Sequence, residues 1–388
     1  MEKGGSLLIR NARLVTPAGV RAGDCLIQDG RIAAVGEVKN PGRAPDLDAE
    51  GRYLAPGFLD LHVHGGAGAD FMDGDPDAAR AVALFHAQHG TTGLLATIVP
   101  GPLDRMRRAM AAAAGVPGIL GIHLEGPFLN PEKAGALDPG WFLPPGRDAF
   151  RELVAGFEHE IKVVTFAPEL PGALDLVAEI EAIGAVPAIG HTAATHQGAE
   201  QAFQRGARHV THLGNAMTGL HHRAPGCVGA ALLSAASVEL VCDGAHLHPV
   251  FVRLVVEFLR GRGELHRLCL VTDATAAAGM PDGNYRLGDR EVCLERGAVR
   301  LADGTLAGSA LTLDQALRNA TRSANLPLED ALVLVTASPA QVLGLDGVIG
   351  ALAVGARADL VFLDPDLTVL TTFQSGEIAA TGRQIKSR

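Results

Sequence analysis

The sequence predicts an α/β protein: a (β/α)8 barrel with a small β-sandwich made from both chain ends. Three observations carry that prediction. Eight apolar runs bounded by turn residues read as strands buried on both faces. Helical segments separate them, the rhythm of parallel strands joined by right-handed crossovers. Period-two alternation, the mark of half-buried antiparallel strands, occupies the two ends.

At the N-terminal end, LLIRNARLVTP, GDCLIQDG and RIAAVGEV alternate, and Asp29-Gly30 is a hairpin signal. ARADLVFLD and LTVLTTF, with a turn at Gln374-Ser375-Gly376, have the same texture at the other end. Neither set has enough strands for a stable sheet alone. Residues 1–54 and 352–388 are therefore expected to share one small domain, and residues 55–351 to form the barrel. Its strands are expected at 58–64, 93–99, 119–125, 161–167, 185–191, 209–214, 238–244 and 267–273. Helices are expected at 77–89, 103–114, 172–183, 196–205, 248–260, 312–323 and 328–336. A β-hairpin insertion is expected near 284–305, where NYRLGDREVCLERGAVRLADG follows the eighth strand.

Bulk composition narrows the function classes. The 388 residues, 47% hydrophobic and 20% charged, suit a soluble globular enzyme with a sizeable core. A formal net charge of −10 leaves no electrostatic footprint for nucleic acid or an anionic membrane. Five dispersed cysteines without a C-x-x-C form neither a disulfide framework nor a zinc-thiolate knuckle, and suit a reducing cytosol. The opening MEKGGSLLIRNARLV has no secretory-signal pattern, and no apolar run is long enough to span a membrane. A cytoplasmic location is expected.

The chemistry lies at the strand ends. In a parallel barrel the C-terminal ends converge on one mouth, where active sites are built. FLDLHVHGG ends in His62 and His64, ILGIHLEGP in Glu125, AVPAIGHT in His191, HVTHLGNA in His212 and Asn215, VELVCDGAH in Asp243 and His246, and LCLVTDAT in Asp273. Two histidines two apart on a strand project to one side and suit zinc or iron. Singly, each residue has an ordinary reading: a core histidine bonded to backbone, a solvated loop glutamate, a turn aspartate. Together, Glu125, His191 and His212 supply the three ligands of a catalytic metal site with an open position. Asp273 is the candidate general acid/base. His246 is a candidate carbonyl-polarising donor, and Asp243 a loop brace. Other chemistries lack support: no GxxxxGK[ST] or GxGxxG stands in its strand–helix context, no HExxH occurs, and Ser309 in LAGSAL lacks a nucleophile elbow.

PGFLDLHVHGG, HLEGPFLNPEKAGAL, GHTAAT, THLGNAMTGLHHRAPG, CDGAH, LVTDATAAAG and GTLAGSALTL resemble the N-acetylglucosamine-6-phosphate deacetylases of the amidohydrolase superfamily. The likeness runs from about residue 8 to 370. It implies a TIM-type barrel of the amidohydrolase kind and deacetylation of N-acetylglucosamine 6-phosphate to glucosamine 6-phosphate and acetate. Glu125, His191 and His212 would hold the catalytic Zn2+ or Fe2+, and His62 and His64 would keep a second ion possible. Asp273 would be the acid/base and His246 a substrate contact. Asn215, Ala216, Leu306 and Ser309 would line the sugar pocket. Arg223, with His222, would grip the 6-phosphate from the neighbouring subunit of a homodimer. The chain departs from many relatives in two places. Gly135-Ala136-Leu137 stands where a histidine follows the Glu-Gly-Pro block, and Gly214 replaces a bulkier residue, which is expected to widen that wall. These departures keep another acetylated aminosugar, such as N-acetylgalactosamine 6-phosphate, as the alternative substrate. A non-catalytic protein on the same fold is the other alternative, disfavoured by the full ligand set.

Overall fold

Eight parallel strands ring the centre of the computed structural model, which describes residues 5–39 and 44–381. Residues 1–4, 40–43 and 382–388 of the expected terminal unit lie outside the described residues. The strands are Phe58–Val63, Thr91–Ile98, Ile119–Glu125, Ile161–Phe166, Val186–Ile189, His209–Val210, Ser237–Val241 and Leu268–Val271, each paired with its neighbours in chain order. The ring closes between last and first. Asp273 N–H donates to the His62 carbonyl at 2.9 Å, His64 N–H donates to the Ala274 carbonyl at 2.8 Å, and Val63 bridges Ala274. These strands are almost wholly buried because helices cover their outer faces while side chains fill the ring. Each fully buried Leu, Val, Ile or Phe contributes about 1.5–3 kcal/mol relative to exposure.

A helix follows every strand: Pro76–Gln88, Leu103–Ala113, Arg147–Val154, Ala173–Ala182, His196–Gln204, Gly226–Leu233, Pro249–Gly261 and, after the insertion, Leu313–Ala324. Their starts are written locally. Asp75 caps the N–H of Asp77 ahead of Pro76, Thr195 caps Gly198, and His248 caps Val250 ahead of Pro249. Arg147–Val154 and Gly226–Leu233 were not among the expected helices. The second, GCVGAALL, is apolar all round and nearly all buried, so it has no polar stripe to reveal a helical period.

Strands from both ends of the chain share one eight-stranded sheet, the small β-sandwich beside the barrel. Its order is Glu377–Thr381, Val369–Gln374, Leu360–Leu363, Tyr53–Pro56, Ser6–Thr16, Gly19–Gln28 and Arg31–Gly36, with Asp46–Asp48 also on Ser6–Thr16. Leu360–Leu363 joins the two ends by running antiparallel to Tyr53–Pro56. Ile9, Leu14, Ile27, Leu54, Phe362 and Phe373 form its core. Both predicted hairpin turns have their central residues at positive φ, Asp29 at 50° with Gly30 at 75°, and Ser375 at 49° with Gly376 at 79°.

The insertion is larger than the expected hairpin. Gly283–Leu287, Arg290–Glu295, Ala298–Arg300 and Leu306–Ser309 form a four-stranded antiparallel sheet. The last strand returns to the barrel mouth, where Ser309 N–H donates to the Asp273 carbonyl at 2.7 Å. The insertion thereby forms one wall over the C-terminal strand ends.

Candidate metal centre and active site

Glu125 is the hub of the barrel mouth. Its Oε1 lies 3.0 Å from His212 Nε2, 3.1 Å from His191 Nε2 and 3.4 Å from His62 Nε2, and its Oε2 lies 3.4 Å from His64 Nε2. The histidines also face one another in pairs, His62 Nε2 3.2 Å from His64 Nε2 and His191 Nε2 3.1 Å from His212 Nε2. All five are buried. They make two three-residue groups able to hold an ion, Glu125–His191–His212 and His62–His64–Glu125, sharing the carboxylate. Ring nitrogens converging at these distances cannot all present lone pairs without a proton or cation between them. Four imidazoles and a carboxylate fit a divalent ion such as zinc or iron(II).

Three of the strand-end residues leave their strands through the left-handed backbone region: His191 at φ 47°, His212 at φ 30° and Asp273 at φ 53°. Non-glycine residues there carry strain of about 1–3 kcal/mol each, kept where surrounding contacts over-determine the turn. Those contacts are visible. The Lys133 carbonyl lies 2.8 Å from His191 Nδ1, and the Asp273 carbonyl accepts from Ser309.

Asp273 stands beside the cluster. Its Oδ1 lies 3.0 Å from His64 Nε2 and its Oδ2 3.9 Å from His246 Nε2. Burial would raise its pKa, but the charge of His62 and the hydrogen bond and charge of His64 outweigh it and hold the carboxyl ionised. Burial likewise opposes ionisation of Glu125, and His62, His191 and His212 bring it well below the carboxylate range. Burial alone would depress His62; Glu125 and Asp273 hold it well above the ordinary imidazole value. Asp243 does more than brace its loop. Its Oδ2 lies 2.7 Å from His246 Nδ1, while its Oδ1 accepts the N–H groups of Ala245 and His246, both at 2.8 Å. That grip aims His246 Nε2 at the cavity, and Asp243 and Asp273 raise its pKa against the opposing effect of burial.

A cavity of about 280 Å3 opens onto the cluster, lined in part by Glu125, His191, His212, Asn215, Ala216, His246, Asp273 and Leu306. Among the expected site residues, His62 lies beneath this surface, fully buried. Ser309 is not in the wall. It is 1% exposed, and its hydroxyl donates to the Thr272 carbonyl at 2.6 Å, so it braces the Asp273 turn instead. His222 and Arg223 are exposed and outside the cavity of their own chain, 2.7 Å from one another. Gly214 does not widen its wall, because Leu247 and Phe251 come within 3.3 and 3.4 Å of where a Cβ would stand. Thr305, Leu287 and Gly308 of the insertion also line the cavity; Thr305 lies within GTLAGSALTL but was not singled out there, and no functional motif marked Leu287.

Residues 53–379 match the model of the amidohydrolase family. The chain belongs to the amidohydrolase family. Within it, this amidohydrolase is 39% identical to an Escherichia coli O157:H7 N-acetylgalactosamine-6-phosphate deacetylase, over 96% of this chain and 99% of that protein. It is 35% identical to the Vibrio furnissii N-acetylglucosamine-6-phosphate deacetylase, over 90% of this chain and 89% of the relative. The solved Mycobacterium smegmatis N-acetyl-D-glucosamine-6-phosphate deacetylase, in complex with N-acetyl-D-glucosamine-6-phosphate, superposes with a TM-score of 0.90 at 35% identity. It covers 97% of this chain and all of that one. Among the described residues no helix is long and apolar enough to cross a membrane.

Proposed function

We propose that this amidohydrolase hydrolyses the acetamide of N-acetylglucosamine 6-phosphate, giving glucosamine 6-phosphate and acetate. The observation that carries the reading is the position of Asp273, held ionised between His64 and His246 where the Glu125 cluster meets the cavity. Glu125, His191 and His212 would hold one divalent ion, zinc or iron(II), and His62, His64 and Glu125 a second. When bound, such an ion supplies Lewis acidity, acidifying water and polarising the acetamide carbonyl.

The protein's own groups do the proton work. Asp273 accepts a proton from the attacking water and delivers it to the leaving nitrogen, without which C–N cleavage stalls. His246, charged by its carboxylate neighbours, holds Asp243 through Nδ1–H and offers Nε2–H to the oxyanion that develops on the carbonyl oxygen. Asn215, the backbone at Ala216 and Leu306 border the sugar. Arg223, with His222, is assigned to the 6-phosphate of a neighbouring subunit in a homodimer, which accords with their exposure outside their own cavity.

N-acetylgalactosamine 6-phosphate is a second reading, favoured by the 39% identical relative and by Leu137 in the cavity wall. The test is acetate release, with kcat/KM compared across N-acetylated glucosamine, galactosamine and mannosamine with and without 6-phosphate. The proposal expects the glucosamine 6-phosphate derivative to lead. A lead for the galactosamine derivative selects the second reading, and no acetate from any member contradicts both.

A further inference from the structure

The barrel floor beneath the cluster holds a second polar group that the chemistry above does not use. Glu239 sits in the middle of strand Ser237–Val241, fully buried, a carboxylate flanked by Val238 and Leu240. Such a group is tolerated only with partners, and Glu239 has three. Its Oε2 lies 3.1 Å from His62 Nδ1 and accepts the backbone N–H of His212 at 3.0 Å; its Oε1 lies 2.9 Å from His209 Nε2. The Glu239 carbonyl accepts the next N–H, that of Leu213, at 2.9 Å.

We propose that Glu239 is a positioning residue for the metal centre, acting through His62 and His212. The inference rests on reading the Glu125 cluster as a metal centre. An acceptor at Nδ1 keeps the proton there and leaves the Nε2 lone pair facing His64 and Glu125, the orientation a ligand needs. The other histidines differ. His191 Nδ1 has a neutral backbone carbonyl, while His64 Nδ1 and His212 Nδ1 have no hydrogen-bond partner. Glu239 is thus the one carboxylate found on the far nitrogen of a ligand ring among the described residues. Its second contact lies on backbone: two successive N–H groups, those of His212 and Leu213, end on Glu239 and pin the left-handed turn that aims His212. One residue therefore orients a ligand in each of the two ion-holding groups that share Glu125.

The experiment titrates the full chain, stripped with chelator, with Zn2+ against a chromophoric competitor, alongside the metal-free melting temperature. Glu239→Gln keeps the volume and removes the charge, and zinc binding is expected to weaken about 10- to 100-fold. His209→Gln removes the other partner of the same carboxylate while leaving it on His62, and is expected to lower the melting temperature with zinc affinity within about threefold of wild type. In a His62→Ala background, Glu239→Gln is expected to lose most of its effect on zinc. Wild-type zinc affinity in Glu239→Gln overturns the proposal, as does equal weakening in His209→Gln. Should Glu239→Gln not fold, Glu239→Asp keeps the charge and shortens the reach; wild-type zinc affinity there overturns the proposal equally, and weakened binding supports it. Failure of the metal-centre reading is separate: the wild-type chain itself would bind no zinc.

Discussion

Oδ1 of Asp273 lies 3.0 Å from Nε2 of His64, so a carboxylate–imidazole contact spans the first and last strands of the barrel. The contact is possible because both residues leave their strands at the seam where the ring closes, His64 N–H on the Ala274 carbonyl and Asp273 N–H on the His62 carbonyl. Seam and candidate proton carrier are the same piece of structure.

Asp273→Asn keeps the size of the side chain and an acceptor for His64 but cannot shuttle a proton. The variant is expected to fold, to retain metal, and to lose about 10²–10⁴-fold in kcat. Steady-state acetate release checks this, and turnover near wild type removes Asp273 from the role.

Asp243→Asn tests the brace on His246. The amide keeps acceptors for Ala245 and His246 N–H but removes the charge that raises the imidazole pKa. Activity that needs charged His246 is lost as pH rises through that pKa. The basic limb of the kcat profile is therefore expected to move to lower pH. An unmoved basic limb contradicts the assignment.

Metal binding should release protons. Burial notwithstanding, Glu125 and Asp273 keep His62 charged above the usual imidazole range, and an ion on its Nε2 must displace that proton. Zinc affinity is expected to fall about tenfold per pH unit for each proton displaced. Calorimetry at pH 7 in buffers of different ionisation enthalpy should give at least one proton released; none released would contradict the ligand role of His62.

How far the sequence revealed all this depends on what each feature requires. Strands and strand-end ligands were legible because a buried parallel strand is a local apolar run and its polar terminus stands out. Glu239 was equally visible inside VELV but had no meaning until the ring brought His62, His209 and His212 around it. The left-handed turns at His191, His212 and Asp273 were not legible, since no glycine marks them. Ser309 was misassigned to the pocket because a motif says which residues gather, not which way a hydroxyl turns. The helix Gly226–Leu233 was missed because it is apolar all round and shows no polar stripe.

His86 offers a stability test away from the chemistry. Burial pushes its pKa down to about 4, and its Nε2 lies 3.0 Å from the Gly65 carbonyl. A neutral buried histidine contributes its full stability above about pH 6.5, and that stability is lost as the unfolded chain takes up the proton between about pH 6.5 and 4. The loss is limited to about 3 kcal/mol. His86→Gln, which cannot charge, is expected to be the less stable at pH 7 and to close the gap with wild type by pH 4.5 in urea unfolding. Parallel curves would contradict the buried neutral state.

The central claim is that the Glu125–histidine cluster supports metal-dependent deacetylation of an N-acetylhexosamine 6-phosphate. The most direct measurement is acetate release from N-acetylglucosamine 6-phosphate by chelator-stripped protein before and after adding back Zn2+ or Fe2+ anaerobically. The expected result is activity that vanishes on stripping and returns as about one or two equivalents bind. Undiminished acetate release from metal-free protein, or none from protein carrying its full complement of metal, would contradict it.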